Sequence, residues 1–164
     1  LQGIAQGAQP ILSYNYGAKN APRVKKTFRM LLVTCLCYSA CIWAFVMLFP
    51  RLFAGIFTPD AALLAFTARA LRIYCAALVL FGIQIACQMT FVSIGNAVCS
   101  IVVAVARKFV LLIPLIYIVP HFMADQTIGV YLAEPIADTL AVCFTSVLFF
   151  FQFRKATKTL IQRQ

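Results

Sequence analysis

The apolar residues of this chain fall in long blocks. Met30 to Phe49 is twenty residues without a charge, and Ile73 to Ile94 is twenty-two. Gly129 to Phe153 is twenty-five, with two acids in its first half. A membrane-spanning helix needs about 20 apolar residues, so each block predicts a span. The stretch from Ala97 to Ala124 is equally apolar but is divided by Arg107 and Lys108. It predicts one helix that enters the bilayer near that pair, is kinked by Pro114 and ends near Pro120. Leu1 to Tyr16 would be about 24 Å long as a helix. That is short of a span, and reads as a helix cut by the edge of the sequence. The predicted helices are therefore about 1–16, 28–49, 61–94 (spanning over 73–94), 99–119 and 128–153, with a polar tail over 154–164. The expectation is an all-α integral membrane protein with four complete transmembrane helices and one truncated at the N-terminus, in a single membrane region 1–164.

The connections agree with this division. GAKNAPRVKKT, from Gly17 to Thr27, is polar and basic, and Pro22 suits a helix start. PRLFAGIFTPD, from Pro50 to Asp60, carries turn residues. Asp60 to Tyr74 reads as an amphipathic lead-in with Arg69 and Arg72 on one face. No linker marks a second domain, and no repeat is visible.

Composition strengthens the membrane reading. Hydrophobic residues make up 63% of the 164, and charged residues 11%. Soluble domains hold about 45–50% apolar and about 25% charged residues. The net charge of +10 would suggest nucleic acid in a soluble protein, but the basic residues cluster where the predicted helices end. Lys19, Arg23, Lys25, Lys26 and Arg29 follow the first helix, Arg107 and Lys108 the third span boundary, and Arg154, Lys155, Lys158 and Arg163 the last helix. These are alternate ends, hence one face, and the other face holds Arg51, Arg69 and Arg72. Basic residues favour the cytoplasmic side, so Lys19, Arg23, Lys25, Lys26, Arg107, Lys108, Arg154 and Lys155 are expected to anchor the topology there, with the C-terminus inside. Nucleic acid is not an expected partner; the lipid bilayer is. Seven cysteines and one histidine show no CxxC pair, so neither a metal site nor a disulfide framework is expected. No motif suggests enzymatic chemistry or a cofactor.

Polar residues within spans are costly and need partners or water. Gln2, Gln6, Gln9 and Ser13 share one helical face, beside a G-x-x-x-G of Gly3 and Gly7. Gln84 and Gln88 are four apart, with Met89 adjacent. Each set would line a cavity or bond neighbouring helices, and the pattern alone leaves both open. Glu134 and Asp138 are four apart across Pro135. Glu134 is expected near the outer end of its helix, in a structural or gating ion pair with Arg69 or Arg72. Asp138 lies about 6 Å deeper and is the better candidate for binding a coupling cation. His121 is expected in a solvent-facing loop, and Trp43, Tyr38, Tyr74 and Tyr117 as packing or interface aromatics.

The chain also resembles the multidrug and toxic compound extrusion (MATE) transporters, in particular a MepA-like bacterial branch. The resemblance rests on GIAQGAQPILSYNYGAKN running into a basic loop, on RALRIY, on FVSIGNAVCSIVVAVARKFVLLIPLIYIVP and on TIGVYLAEPIAD, in that order. It implies part of the C-terminal lobe of a twelve-helix transporter, whose N-terminal lobe would be a partner from the same protein. It further implies alternating access in the bacterial inner membrane, with export of small amphipathic, often cationic, molecules driven by Na⁺ or H⁺. Some branches place an acid in the tenth helix; Ile73 to Ile94 has none. Two alternatives are a lipid-linked oligosaccharide flippase of the related superfamily, which would carry more cationic residues in its cavity, and a membrane scaffold without transport.

Overall fold

A computed structural model describes residues 1–123 and 125–162. Arg163, counted above among the basic residues of the tail, lies outside them. All regular elements among the described residues are helical. Helix α1 is Gln2–Gly17, α2 Ala21–Leu48, α3 Pro50–Phe57 and α4 Ala61–Tyr74. A single 3₁₀ turn, Leu78–Leu80, leads into α5, Phe81–Ser93. Helix α6, Ala97–Val105, passes through a π-helical segment, Ala106–Leu112, into α7, Ile113–His121. Helix α8 is Gln126–Gln162.

Among the described residues, three helices are long and apolar enough to cross a membrane: Ala21–Leu48, Ala97–His121 and Gln126–Leu160. The pair α4 and α5 makes a fourth if counted as one span, bent by 44° at its break. The ends of these helices are set by side-chain caps. Asn20 accepts from the Arg23 N–H and starts α2, Asp60 accepts from Ala62 and Leu63 and starts α4, and Asn96 accepts from Cys99 and starts α6. Asp125 likewise accepts from the Thr127 and Ile128 N–H groups at the start of α8.

Helix α5 lies at the centre, packed against α1, α2, α6 and α8. Lipid tails are as apolar as a leucine side chain, so helices in a membrane associate through close packing of small residues. Helix α8 shows this plainly: Ala133, Ala137, Ala141 and Thr145, four apart, are all buried. Aromatic rings close the bundle near the basic end, where Phe28 of α2 stacks on Phe149 of α8 at 4.5 Å.

The break between α4 and α5 is repaired from α2. Non-helical backbone at membrane depth is tolerated where other groups satisfy it. The Trp43 indole N–H donates to the Ala76 carbonyl at 3.1 Å, and the Ser39 hydroxyl donates to that of Val79 at 3.0 Å. Trp43 and Ser39 are four apart, hence on one face of α2. Gly82 brings α5 against the same face: a Cβ there would lie 2.7 Å from the Cys35 carbonyl oxygen and from Ser39 Oγ.

Three expectations are corrected. The polar tail over 154–164 is not a separate segment, because α8 continues through Gln162 and buries Thr157 and Leu160. Lys and Arg are good helix formers, so a run of charges did not end the helix. The predicted kink at Pro114 is instead a π segment just before it. Pro114 has no N–H for the carbonyl of Val110 and its ring crowds that carbonyl; the wider turn lies there. Finally, Arg107 and Lys108, expected as interfacial anchors, stand ten and eleven residues into the Ala97–His121 helix and pair with acids of α8.

A buried charge cluster as candidate functional site

Glu134 and Asp138 each follow a residue of the small seam on α8, so they flank it, about 100° around the helix. Helix α8 packs against the α6–α7 helix, and both carboxylates meet the π segment. Arg107 Nε donates to Asp138 Oδ1 at 2.6 Å, and Arg107 Nη2 lies 3.7 Å from Glu134 Oε1. Lys108 Nζ lies 3.4 Å from the same Glu134 oxygen. The side chains of Arg107, Glu134 and Asp138 are 17%, 14% and 16% exposed, whereas that of Lys108 is 53% exposed. Two cations face two anions, and the cluster is formally neutral.

Its depth follows from helix rise. Arg107 is about 15 Å from the start of α6, and Asp138 about 18 Å from the opposite start of α8. Both distances are about half the thickness of a hydrocarbon core of about 30 Å. The Phe81 ring, at the start of α5, covers the guanidinium at 4.8 Å, a cation–π contact that adds to its desolvated environment. Tyr74, Cys75 and Leu78 of the α4–α5 break join Phe81 and the charges around a recess of about 140 Å³. The broken span, the π segment and the carboxylate pair thus meet at one place.

This corrects the expected partner of Glu134. Its cations are Lys108 and Arg107, not Arg69 or Arg72. The i, i+4 spacing of Glu134 and Asp138 did mark the site. The role of Arg107 and Lys108 was hidden because they were read as interfacial anchors. With those two paired inside the bundle, eight described basic residues (Lys19, Arg23, Lys25, Lys26, Arg29, Arg154, Lys155 and Lys158) stand at one end of the bundle, against Arg51, Arg69 and Arg72 toward the other.

The amides separate into two environments. Gln2 of α1 meets Gln88, Met89 and Ser100 around a small recess of about 120 Å³. Gln6 is exposed and Gln9 half-buried on the same side of α1, where Gly3 and Gly7 have open space before them. Ser13 donates to the Ser93 carbonyl at 3.0 Å and fixes α1 to the end of α5. Gln84, by contrast, is buried inside the chain, and its Oε1 has no hydrogen-bond partner among the described residues. It does not share the recess of Gln88. Trp43, expected only to pack, is a backbone partner of the break. His121 is exposed, at the end of α7 rather than in a loop.

Paired charges within the helices, a broken span and an apolar helical bundle define a multi-pass α-helical membrane protein. The MatE family profile matches residues 1–118, and the chain belongs to that family of transporters. Its fold matches the inward-facing conformation of a multidrug resistance MATE family transporter of the MOP superfamily with a TM-score of 0.87, at 21% identity, over 94% of this chain and 36% of that one. The MATE multidrug transporter DinF-BH, solved as a ligand complex, is 34% identical, with a TM-score of 0.83, over 90% of this chain and 33% of that one. A MATE protein in the bent conformation gives a TM-score of 0.88 at 20% identity, over 96% of this chain and 34% of that one. The chain spans about a third of the length of these solved chains. Comparison with curated proteins gives no match.

Proposed function

We propose that this chain forms the C-terminal part of a secondary active efflux transporter in the bacterial inner membrane. It exports amphipathic, often cationic, compounds in exchange for Na⁺ or H⁺, with its C-terminus in the cytoplasm. The observation that carries the reading is the paired charge cluster within the helices of a MatE fold. Intramembrane ionisable residues that pair with one another mark ion and substrate pathways.

A coupling ion shifts a two-state equilibrium only if it binds the two states differently. Asp138 meets that condition through Arg107. While the guanidinium holds Asp138 Oδ1, that carboxylate is already neutralised; if helix movement parts the two, it must take a proton or a small cation. Gln2, Gln88 and Met89, with Gln6 and Gln9 on the adjoining face, are the substrate-contact candidates. Amides beside an adaptable thioether suit varied ligands, and the ligand complex of DinF-BH supports a small-molecule cargo. The mid-membrane residues are not amides and acids alone, since two cations lie among them. Their charge is matched by Glu134 and Asp138, which leaves no surplus positive charge for the anionic headgroup that a flippase would carry.

The test is dye efflux by cells expressing the full-length protein, with and without Na⁺ and with the proton gradient collapsed. Asp138→Asn is expected to abolish efflux and its ion dependence while the protein still reaches the membrane. Unchanged efflux with unchanged ion dependence would refute the coupling role.

A further inference from the structure

All four acids of the sequence are engaged. Asp60 caps α4, Asp125 caps α8, and Glu134 and Asp138 hold Arg107 and Lys108. Arg51, Arg69 and Arg72 therefore have no acidic partner among the described residues. They are not scattered. All three line one cleft of about 740 Å³ between the end of α2, α3 and α4. Three guanidinium groups around one open space repel each other. Arg72 lies in the last turn of α4, where the helix dipole favours a cation. Arg51 lies in the first turn of α3, where the dipole opposes one. Its position calls for an anion.

The surroundings say which kind. Leu48, Phe49, Leu52 and Ile73 give the cleft an apolar wall. Helix α2 ends at Leu48, so the cleft opens at the level where a spanning helix leaves the hydrocarbon. Outside the cleft, Ile56 and Phe57 of α3 are exposed, as on a helix lying against lipid. Arginine is suited to phosphate because its planar fork gives two parallel N–H donors.

We infer that this cleft binds an anionic phospholipid, with Arg51, Arg69 and Arg72 around its phosphate and an acyl chain along the wall of Leu48, Leu52 and Ile73. The site is separate from the charge cluster and does not depend on the transport reading.

Native mass spectrometry of the full-length protein tests it, after equilibration in nanodiscs of phosphatidylcholine with a minor share of phosphatidylglycerol. The wild type is expected to retain phosphatidylglycerol in preference to phosphatidylcholine. Each cation near an anionic headgroup contributes a factor of about five, so the Arg51→Gln/Arg69→Gln/Arg72→Gln triple should lose retention by about 100-fold. The opposite-end triple Lys25→Gln/Lys26→Gln/Arg29→Gln should retain it. If the first triple aggregates, Arg69→Gln alone should show the fivefold loss. Equal retention of both lipids by the wild type, undiminished retention after loss of the arginines, or displacement by millimolar inorganic phosphate would each overturn the lipid assignment.

Discussion

Two seams of the bundle handle polar groups inside the membrane in opposite ways. Between the α6–α7 helix and α8, four charged side chains meet and neutralise each other. Between α2 and the α4–α5 break, neutral donors from Ser39 and Trp43 reach freed carbonyls, and Gly82 lets two backbones touch. The first seam rests on electrostatics at low dielectric, where each member depends on the others. The second rests on fit and single hydrogen bonds, each worth about 0.5–1.5 kcal/mol. An ionic seam has large stakes and two natural arrangements, paired and parted. A close-packed neutral seam has one. If part of this bundle moves, the contrast points to the charge cluster before the α2–α5 contact.

The strongest way to break this contrast is to remove one charge. Arg107→Leu strands Asp138 and Glu134 beside Lys108 alone, and should cost about 3–5 kcal/mol, read as a lower unfolding midpoint of the purified protein in detergent. Adding Asp138→Leu should restore most of it, because the uncompensated charge is gone. A double variant no better than the single one would show that the seam is held by packing.

Next in size is Gly82→Ala. Its Cβ would meet backbone, which cannot swing aside, so a loss of about 1–3 kcal/mol is expected, with the α2–α5 distance by spin-label measurement increased. Trp43→Phe keeps the ring and removes the donor to Ala76, and should cost about 1 kcal/mol. Hydrogen exchange at Ala76 to Leu80 should quicken. Gln84→Met is expected to be smallest and opposite in sign. It removes a buried carbonyl oxygen without a partner, so thermal stability should be unchanged or slightly raised. A clear loss would reveal a bond that Gln84 makes in another conformation.

The sequence made the spans legible because their signal is local: about twenty apolar residues in a row, bounded by caps and basic residues. It also placed Glu134 and Asp138 on one face, since helical spacing alone decides that. The partners of those acids were not legible. Arg107 and Lys108 look the same whether they stand at an interface or at mid-membrane, and their depth depends on where the helix begins. The break after Tyr74 was not legible: 61–94 reads as one helix, an amphipathic lead-in running into a span, whereas the structure bends it by 44°. No proline or glycine marks Cys75, Ala76 or Ala77. The break is supported by Ser39 and Trp43, more than thirty residues earlier, and no local pattern reports that. The arginines of the α3–α4 cleft were legible as a pair, Arg69 and Arg72, but Arg51 joins them only through the fold of α3 against α4.

Helix α8 runs without interruption from Asp138, at the cluster, to Gln162 beyond the basic end. That is about 36 Å of helix, all of it past Pro135. Mechanically it is a lever with its fulcrum at the buried charges. A tilt of about ten degrees there, scaled by that length, carries the far tip roughly 6 Å sideways. A rearrangement of two side chains there would therefore become a displacement, at the far tip, larger than the spacing between helical turns.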